Sequence, residues 1–370
     1  MRVAASLAFI VPGVVGGSEE YSVRLLRALA DHQDDDVDVT VVGAERFFAA
    51  HPKLGGHATL PFRGPAHRRP YRVAIESTWL AHATRDFDLV HHFGGRIPAR
   101  RPGCPTVVTV HDIQPLDMPE NFSALKQRYL AYALPRTVRG ADVVVTPSAW
   151  VRRQIIERFG CAPDRVRVVS STSDPGVIHG TVHPVVASLG DRPLIIYPAV
   201  SHPHKNHQVL LDALPAVIEA HPDVLVVFTG GAGRCAAPLE AATRALDPEG
   251  RHIRHLGRVE AATLAELTAR ADVMAFPSRY EGFGLPVLEA MHRGTPVVAA
   301  STTALPEVLG NAGVLVDPGD AEGWAAALSG LLSNDMRRAE LAVAGTARAE
   351  AYSPAASSAA LLSVWRDAVS

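Results

Sequence analysis

Short runs of wholly apolar residues, each followed by a stretch with helical period, recur along almost the whole chain and leave few folds open to it. A first series reads as strands at Val3–Val11, Val37–Gly43, Asp88–Phe93, Thr106–His111, Asp142–Pro147 and Arg165–Ser170. A second reads as Leu194–Val200, Val224–Gly230, Ile253–Val259, Val273–Pro277, Val297–Ala300 and Val314–Asp317. Strands apolar on both faces belong in parallel sheets covered by helices on each side, and repeated strand–helix units wind such sheets with right-handed crossovers. Ser171–Pro193, rich in Ser, Thr, Gly, Pro and Asp and without helical period, separates the series and reads as a linker. The expectation is an α/β protein of two Rossmann-like, doubly wound domains, 1–175 and 190–352, followed by a separate amphipathic helix at 353–370 that contains Trp365.

The chain's 370 residues suit two domains of about 150–200 each, and 47% hydrophobic residues fill two cores. A formal net charge of -2 offers no global field for nucleic acid. Basic residues cluster only locally, at Arg63–Arg72, Arg100–Arg101 and Arg152–Arg153. Cys104, Cys161 and Cys235 are odd in number and widely spaced, as expected in a reducing compartment. No apolar run reaches the ~18 residues of a membrane span, and the N-terminal apolar run reads as a buried strand rather than a signal peptide.

Two motifs point elsewhere and fail on context. Gly231-Ala232-Gly233-Arg234-Cys235-Ala236 has a dinucleotide-binding spacing, which raises an NAD-dependent oxidoreductase. It follows the second strand of its series, however, and only Asp247 and Glu249 stand near where a ribose-binding acid is needed. His202, His204 and His207, with His91 and His92, lack zinc spacing, so no metal is expected.

In open α/β sheets, ligands bind at the carboxyl ends of strands. The most informative such end is Pro277-Ser278-Arg279-Tyr280-Glu281-Gly282-Phe283-Gly284-Leu285-Pro286, with Glu289 about one turn into the next helix. Gly282 and Gly284 permit a tight turn, and Pro286 suits a first helical turn. Amides from Gly282, Phe283, Gly284 and Leu285, with the helix dipole, would cradle a phosphate. A carboxylate at Glu289 would accept two hydrogen bonds from a cis-diol such as a ribose, and Glu281 would meet sugar hydroxyls.

Glu281 and Glu289, eight apart around Gly-Phe-Gly-Leu-Pro, resemble the Glu-x7-Glu motif of the retaining glycosyltransferases with the GT-B fold, the family 4-like or group 1 enzymes. The resemblance runs through the chain in order. Pro12 to Glu19 resembles the family's glycine loop, Val110-His111-Asp112 its His-Asp segment, and Val145 to Trp150 the strand-to-helix step closing the first domain. His204-Lys205-Asn206-His207 resembles its phosphate-binding Lys-Asn, and the Trp365 helix resembles the one that crosses back to the first domain.

The resemblance implies a role for each residue. Gly16 and Gly17 would lie near the donor phosphates, His111 near the anomeric carbon, and Lys205 against the leaving diphosphate. Gly230, Arg258 and Val259 would flank the base. The first domain would hold the acceptor, with Arg63–Arg72 helping if that acceptor is anionic. One departure stands out: many members carry an arginine about six residues before the lysine, where this chain has Pro198-Ala199-Val200-Ser201. Ser201, His202, Arg279 and Arg96 are the candidate substitutes.

The implied function is transfer of a hexose from a nucleotide sugar, GDP-mannose first, to the hydroxyl of a sugar, lipid-linked or small-molecule acceptor, with retention and without cofactor or metal. A cytoplasmic enzyme is expected, with peripheral contact at the inner face of the membrane an open reading. The alternative is a GT-B-fold sugar-nucleotide epimerase or hydrolase.

Overall fold

The structure, a computed structural model, describes every residue except 15, 33, 53, 55, 102 and 173–181, with the side chain of residue 69 also left out. It forms two compact units: Met1–Thr172 together with Tyr352–Ser370, and Ser173–Ala351. Residues 173–181 of the linker expected at 171–193 lie outside the described residues. Its described end carries a short helix, Pro184–Ala187, whose approach is fixed by the His183 N–H donating to Glu266 Oε2 at 2.8 Å.

In unit 1 the strands are β1 Arg2–Ser6, β2 Asp38–Ala44, β3 Ala58–Phe62, β4 Leu89–His92, β5 Thr106–Thr109, β6 Val143–Thr146 and β7 Val166–Val168. All pair in parallel in the order β3-β2-β1-β4-β5-β6-β7. Unit 2 contains β8 Leu194–Pro198, β9 Leu225–Thr229, β10 Ile253–Gly257, β11 Val273–Phe276, β12 Val297–Ala300 and β13 Val314–Val316. These are also parallel, in the order β10-β9-β8-β11-β12-β13. Chain order reverses between β1 and β4 in the first sheet and between β8 and β11 in the second, and such switch points leave a crevice at the carboxyl edge where ligands bind.

Apolar runs overstate strand length. The first strand, expected over 3–11, ends at Ser6, yet Leu7, Ala8 and Ile10 stay 0–2% exposed. The chain turns there, with the Ile10 N–H bonded to the Leu7 carbonyl, so its apolar residues fill a buried loop. The opposite error conceals β3, which is not among the strands read from the sequence. It is a largely exposed edge strand carrying Pro61, a position where a missing N–H costs no ladder bond.

The segment at 145–150 does not close its unit, because β7 follows and adds an edge. Its Ser148 caps the helix Ala149–Phe159, accepting from the Val151 N–H at 3.2 Å. The final helix, Pro354–Val369, starts at an N-cap Ser353 and packs on the helix Gly17–His32 and on β4 and β5. Trp365, fully buried, donates its Nε1–H to His91 Nδ1 at 3.0 Å, and Arg366 pairs with Asp34 at 2.5 Å.

Candidate functional site

The carboxyl edge of unit 2 is organised around its switch point. After β8 the chain runs through Val200 and Ser201 into a 3₁₀ turn, Pro203–Lys205. Asn206 then takes a left-handed conformation (φ 57°) before the helix His207–Ala220. Lys205, expected to open that helix, sits in the turn before it. Asn206 is a latch: its side-chain N–H groups donate to the carbonyls of Pro277 (3.1 Å) and Pro318 (2.7 Å). The Tyr197 hydroxyl donates to the Lys205 carbonyl, and the His204 carbonyl accepts the Arg279 N–H at 2.7 Å. The loop after β8 and the loop after β11 are thereby stitched together.

Across this seam Lys205 Nζ meets Glu281 Oε1 at 2.5 Å, the two side chains only 19% and 15% exposed. Partial burial weakens solvent screening, so the pair holds both groups at the mouth of the switch point. Burial, with Lys205 beside it, pushes His204 down to about 4, so that imidazole is neutral at physiological pH and adds no competing charge. Glu281 precedes a turn ending at Gly284, whose φ of 111° and whose packing, with an added Cβ only 2.8 Å from Leu305 Cδ2, admit no other residue cheaply. Gly282 has no positive φ among the described glycines, so the turn rests on Gly284. The helix Leu285–His292 follows, with Pro286 in its first turn and Glu289 one turn in.

The remaining predicted residues flank this centre. Gly230 follows β9 with φ 128°, a conformation an L side chain rarely adopts, and an added Cβ would lie 2.4 Å from the Ala199 carbonyl oxygen. Its N–H bonds the carbonyl of Gly257 at 2.7 Å, bringing exposed Arg258 and half-buried Val259 to the same edge. Ser201 ties two loops together: its Oγ accepts the Gly233 N–H at 2.8 Å and its carbonyl accepts the Cys235 N–H. A Cβ on Gly233 would sit 2.4 Å from the Ser201 carbonyl oxygen. Gly233 therefore serves loop-on-loop packing, whereas an added Cβ at Gly231 would meet no atom within 4 Å among the described residues.

Two family models match the chain: Glycosyltransferase Family 4 over residues 15–176 and Glycosyl transferases group 1 over 192–334. The O-antigen chain mannosyltransferase B of Escherichia coli is 32% identical over 91% of this chain and 92% of its own length. This chain is a family 4, group 1 glycosyltransferase. The phosphatidyl-myo-inositol mannosyltransferase of Mycolicibacterium smegmatis is 29% identical, covering 95% of this glycosyltransferase and 90% of its own chain. Among solved structures, Anabaena HepE in complex with UDP-glucose matches 99% of the chain and 100% of its own with a TM-score of 0.78 at 20% identity. WaaG, a glycosyltransferase involved in lipopolysaccharide biosynthesis, matches with a TM-score of 0.71 at 16% identity over 94% of this chain and 95% of its own. The fold is GT-B.

In unit 1 of the glycosyltransferase, His111 comes two residues after β5. Its Nε2 lies 2.8 Å from the Phe93 carbonyl, and Tyr21 packs edge-on against the ring with centroids 5.1 Å apart. The carbonyl selects the Nε2–H tautomer and leaves Nδ1 as an acceptor. Burial takes His111 down to about 4, partly offset by that hydrogen bond, so the ring is neutral. Gly16 has φ 69°, and its carbonyl accepts from the Glu19 and Glu20 N–H groups, starting the helix Gly17–His32. Gly17 has no positive φ, and among the described residues no atom lies within 4 Å of an added Cβ there. Arg96 is already engaged, paired with Glu76 and 3.2 Å from the Tyr129 hydroxyl. Arg279 is exposed and its backbone N–H is bonded to the His204 carbonyl, one residue before Lys205.

The functional groups that sequence reasoning missed are supports. Asn206 had been grouped with the phosphate-binding lysine but works on the backbone. Thr303, 22 residues from Glu281, accepts the Glu281 N–H at 3.1 Å. No local pattern signals a contact over that separation.

Proposed function

We propose that this glycosyltransferase moves a hexose, mannose from GDP-mannose in the first instance, to an acceptor hydroxyl with retention at the anomeric carbon. The Lys205–Glu281 pair at the β8/β11 switch point carries this reading. An arriving diphosphate would draw the Lys205 ammonium from Glu281, freeing the carboxylate for sugar hydroxyls, while Arg279 and the first turn of Leu285–His292 share the negative charge. Glu289 would hold the ribose, and Gly230, Arg258 and Val259 the base. Charge grows on the diphosphate as its bond to the anomeric carbon breaks, so a cation fixed beforehand stabilises the transition state more than the ground state. The acceptor oxygen then bonds to that carbon, and its proton passes to the departing phosphate oxygen.

The mannosyltransferases among the relatives support mannose as the sugar. For the acceptor, unit 1 offers a cavity of about 280 Å³ beside its own switch point, lined by Phe9, Arg72, Arg96, Lys126 and Tyr129. Among the described residues no helix is long and apolar enough to cross a membrane. The helix Ala124–Gly140 does expose Leu125 and Tyr132 (81% and 64%) among Lys126, Arg128 and Arg136. This apolar-and-basic face suits peripheral contact with an anionic membrane from the cytoplasm. Co-sedimentation with phosphatidylglycerol vesicles, reduced by Leu125→Asp and by salt, is expected; equal sedimentation with neutral vesicles would sink that contact.

The deciding experiment is a thermal-shift panel of GDP, UDP, dTDP, ADP and NAD on the wild type, Glu289→Ala and Arg279→Ala. A diphosphate at ~100 times its Kd stabilises by about 2.7 kcal/mol, a shift of several degrees. GDP should shift the wild type most and Glu289→Ala least. For Arg279→Ala, about a tenfold loss of affinity is expected from one charge-assisted contact. No shift with any nucleoside diphosphate would overturn the donor site. Retention is read from the anomeric coupling constant of the product.

A further inference from the structure

Thr303 is one of two described non-glycine residues with positive φ, at 55°. A β-branched residue is a poor occupant of the left-handed region, and residues held there persist where their surroundings demand them. The hydroxyl explains the demand. Thr303 Oγ1 donates to the Thr302 carbonyl at 2.8 Å, which turns its lone pairs toward the Glu281 N–H, 3.1 Å away. Two residues on, Leu305 Cδ2 presses the Gly284 position from the same side. The loop after β12 therefore grips the Glu281–Gly284 turn at both ends.

We infer that Thr303 is the positioning residue of Glu281, a role that rests on the proposed donor site. The Arg279 N–H anchors the chain two residues before Glu281, and glycine follows it at 282, so its own N–H is the backbone anchor nearest the carboxylate. Glycine at 303 would ease the conformation but provide no anchor. Threonine keeps the strain and supplies the oxygen.

Three variants test this. Thr303→Val keeps the side chain's shape and removes the acceptor, Thr303→Gly removes strain and acceptor together, and Thr303→Ser keeps the hydroxyl. Valine and glycine variants should lose about tenfold in kcat at unchanged donor KM, and serine should restore it. The glycine variant should melt no lower than the wild type, which separates lost positioning from lost folding. Hydrogen exchange at the Glu281 amide should accelerate in both the valine and glycine variants and stay slow with serine. Full turnover in Thr303→Gly, an unchanged Glu281 amide, or a serine variant as slow as valine would overturn the role. The exchange measurement needs no substrate, so failure of the donor site, seen as absent diphosphate binding by the wild type, is told apart from failure of the anchor.

Discussion

Lys205→Ala is expected to lower kcat by about two to three orders of magnitude, the loss typical of removing one preorganised transition-state charge contact. The side chain is 19% exposed and paired with Glu281, held there by a turn whose carbonyls bind Tyr197 and Arg279. The substitution also strands the Glu281 carboxylate at 15% exposure, which should lower the melting temperature by a few degrees. Lys205→Ala with Glu281→Gln should recover that stability and none of the turnover. Single-turnover kinetics with saturating donor read the first effect, and melting curves the second. Turnover at the wild-type level would remove Lys205 from the mechanism.

The second large effect concerns the C-terminal helix. Trp365→Ala should cost about 4 kcal/mol, from the cavity left by a fully buried indole and from the hydrogen bond lost to His91. Unit 1 would then melt roughly 10 °C lower. Trp365→Phe, which keeps most of the volume, should cost about 1–2 kcal/mol. The same region should be acid-sensitive. His91 is held well below its ordinary pKa by burial and then by His92 and His111, and burial takes His92 down to about 4 with no partner for its Nε2. In the unfolded chain these rings take protons near pH 6.5, whereas in the folded chain both are held lower, His92 at about 4. Stability is therefore full above about pH 6.5 and is lost as pH falls toward 4, by up to about 3 kcal/mol for His92 alone. Urea unfolding from pH 7.5 to 4.5 checks this; a flat profile, or a Trp365→Ala variant as stable as the wild type, would show that the helix is not held by this contact.

Much of this was legible along the chain. Alternating apolar and helical segments gave two parallel sheets, because strands covered on both faces must be apolar throughout. Glu281, Gly284 and Glu289 could be assigned to a strand end and its helix, because the turn, the proline and the carboxylates lie within ten residues of one another.

What stayed hidden depends on which strands become neighbours. Nothing near Lys205 announces that its partner lies 76 residues away, since β8 and β11 adjoin only because the sheet reverses there. Nor does anything near Asn206, Ser201 or His111 announce that they bond Pro277 and Pro318, Gly233, and Phe93. The sequence by itself determined the elements and the chemical types at their ends, because periodicity and turn chemistry are local. Only the tertiary structure decided which polar groups face the crevice and which are consumed in building it, because buried donors and acceptors must find partners wherever the fold brings them.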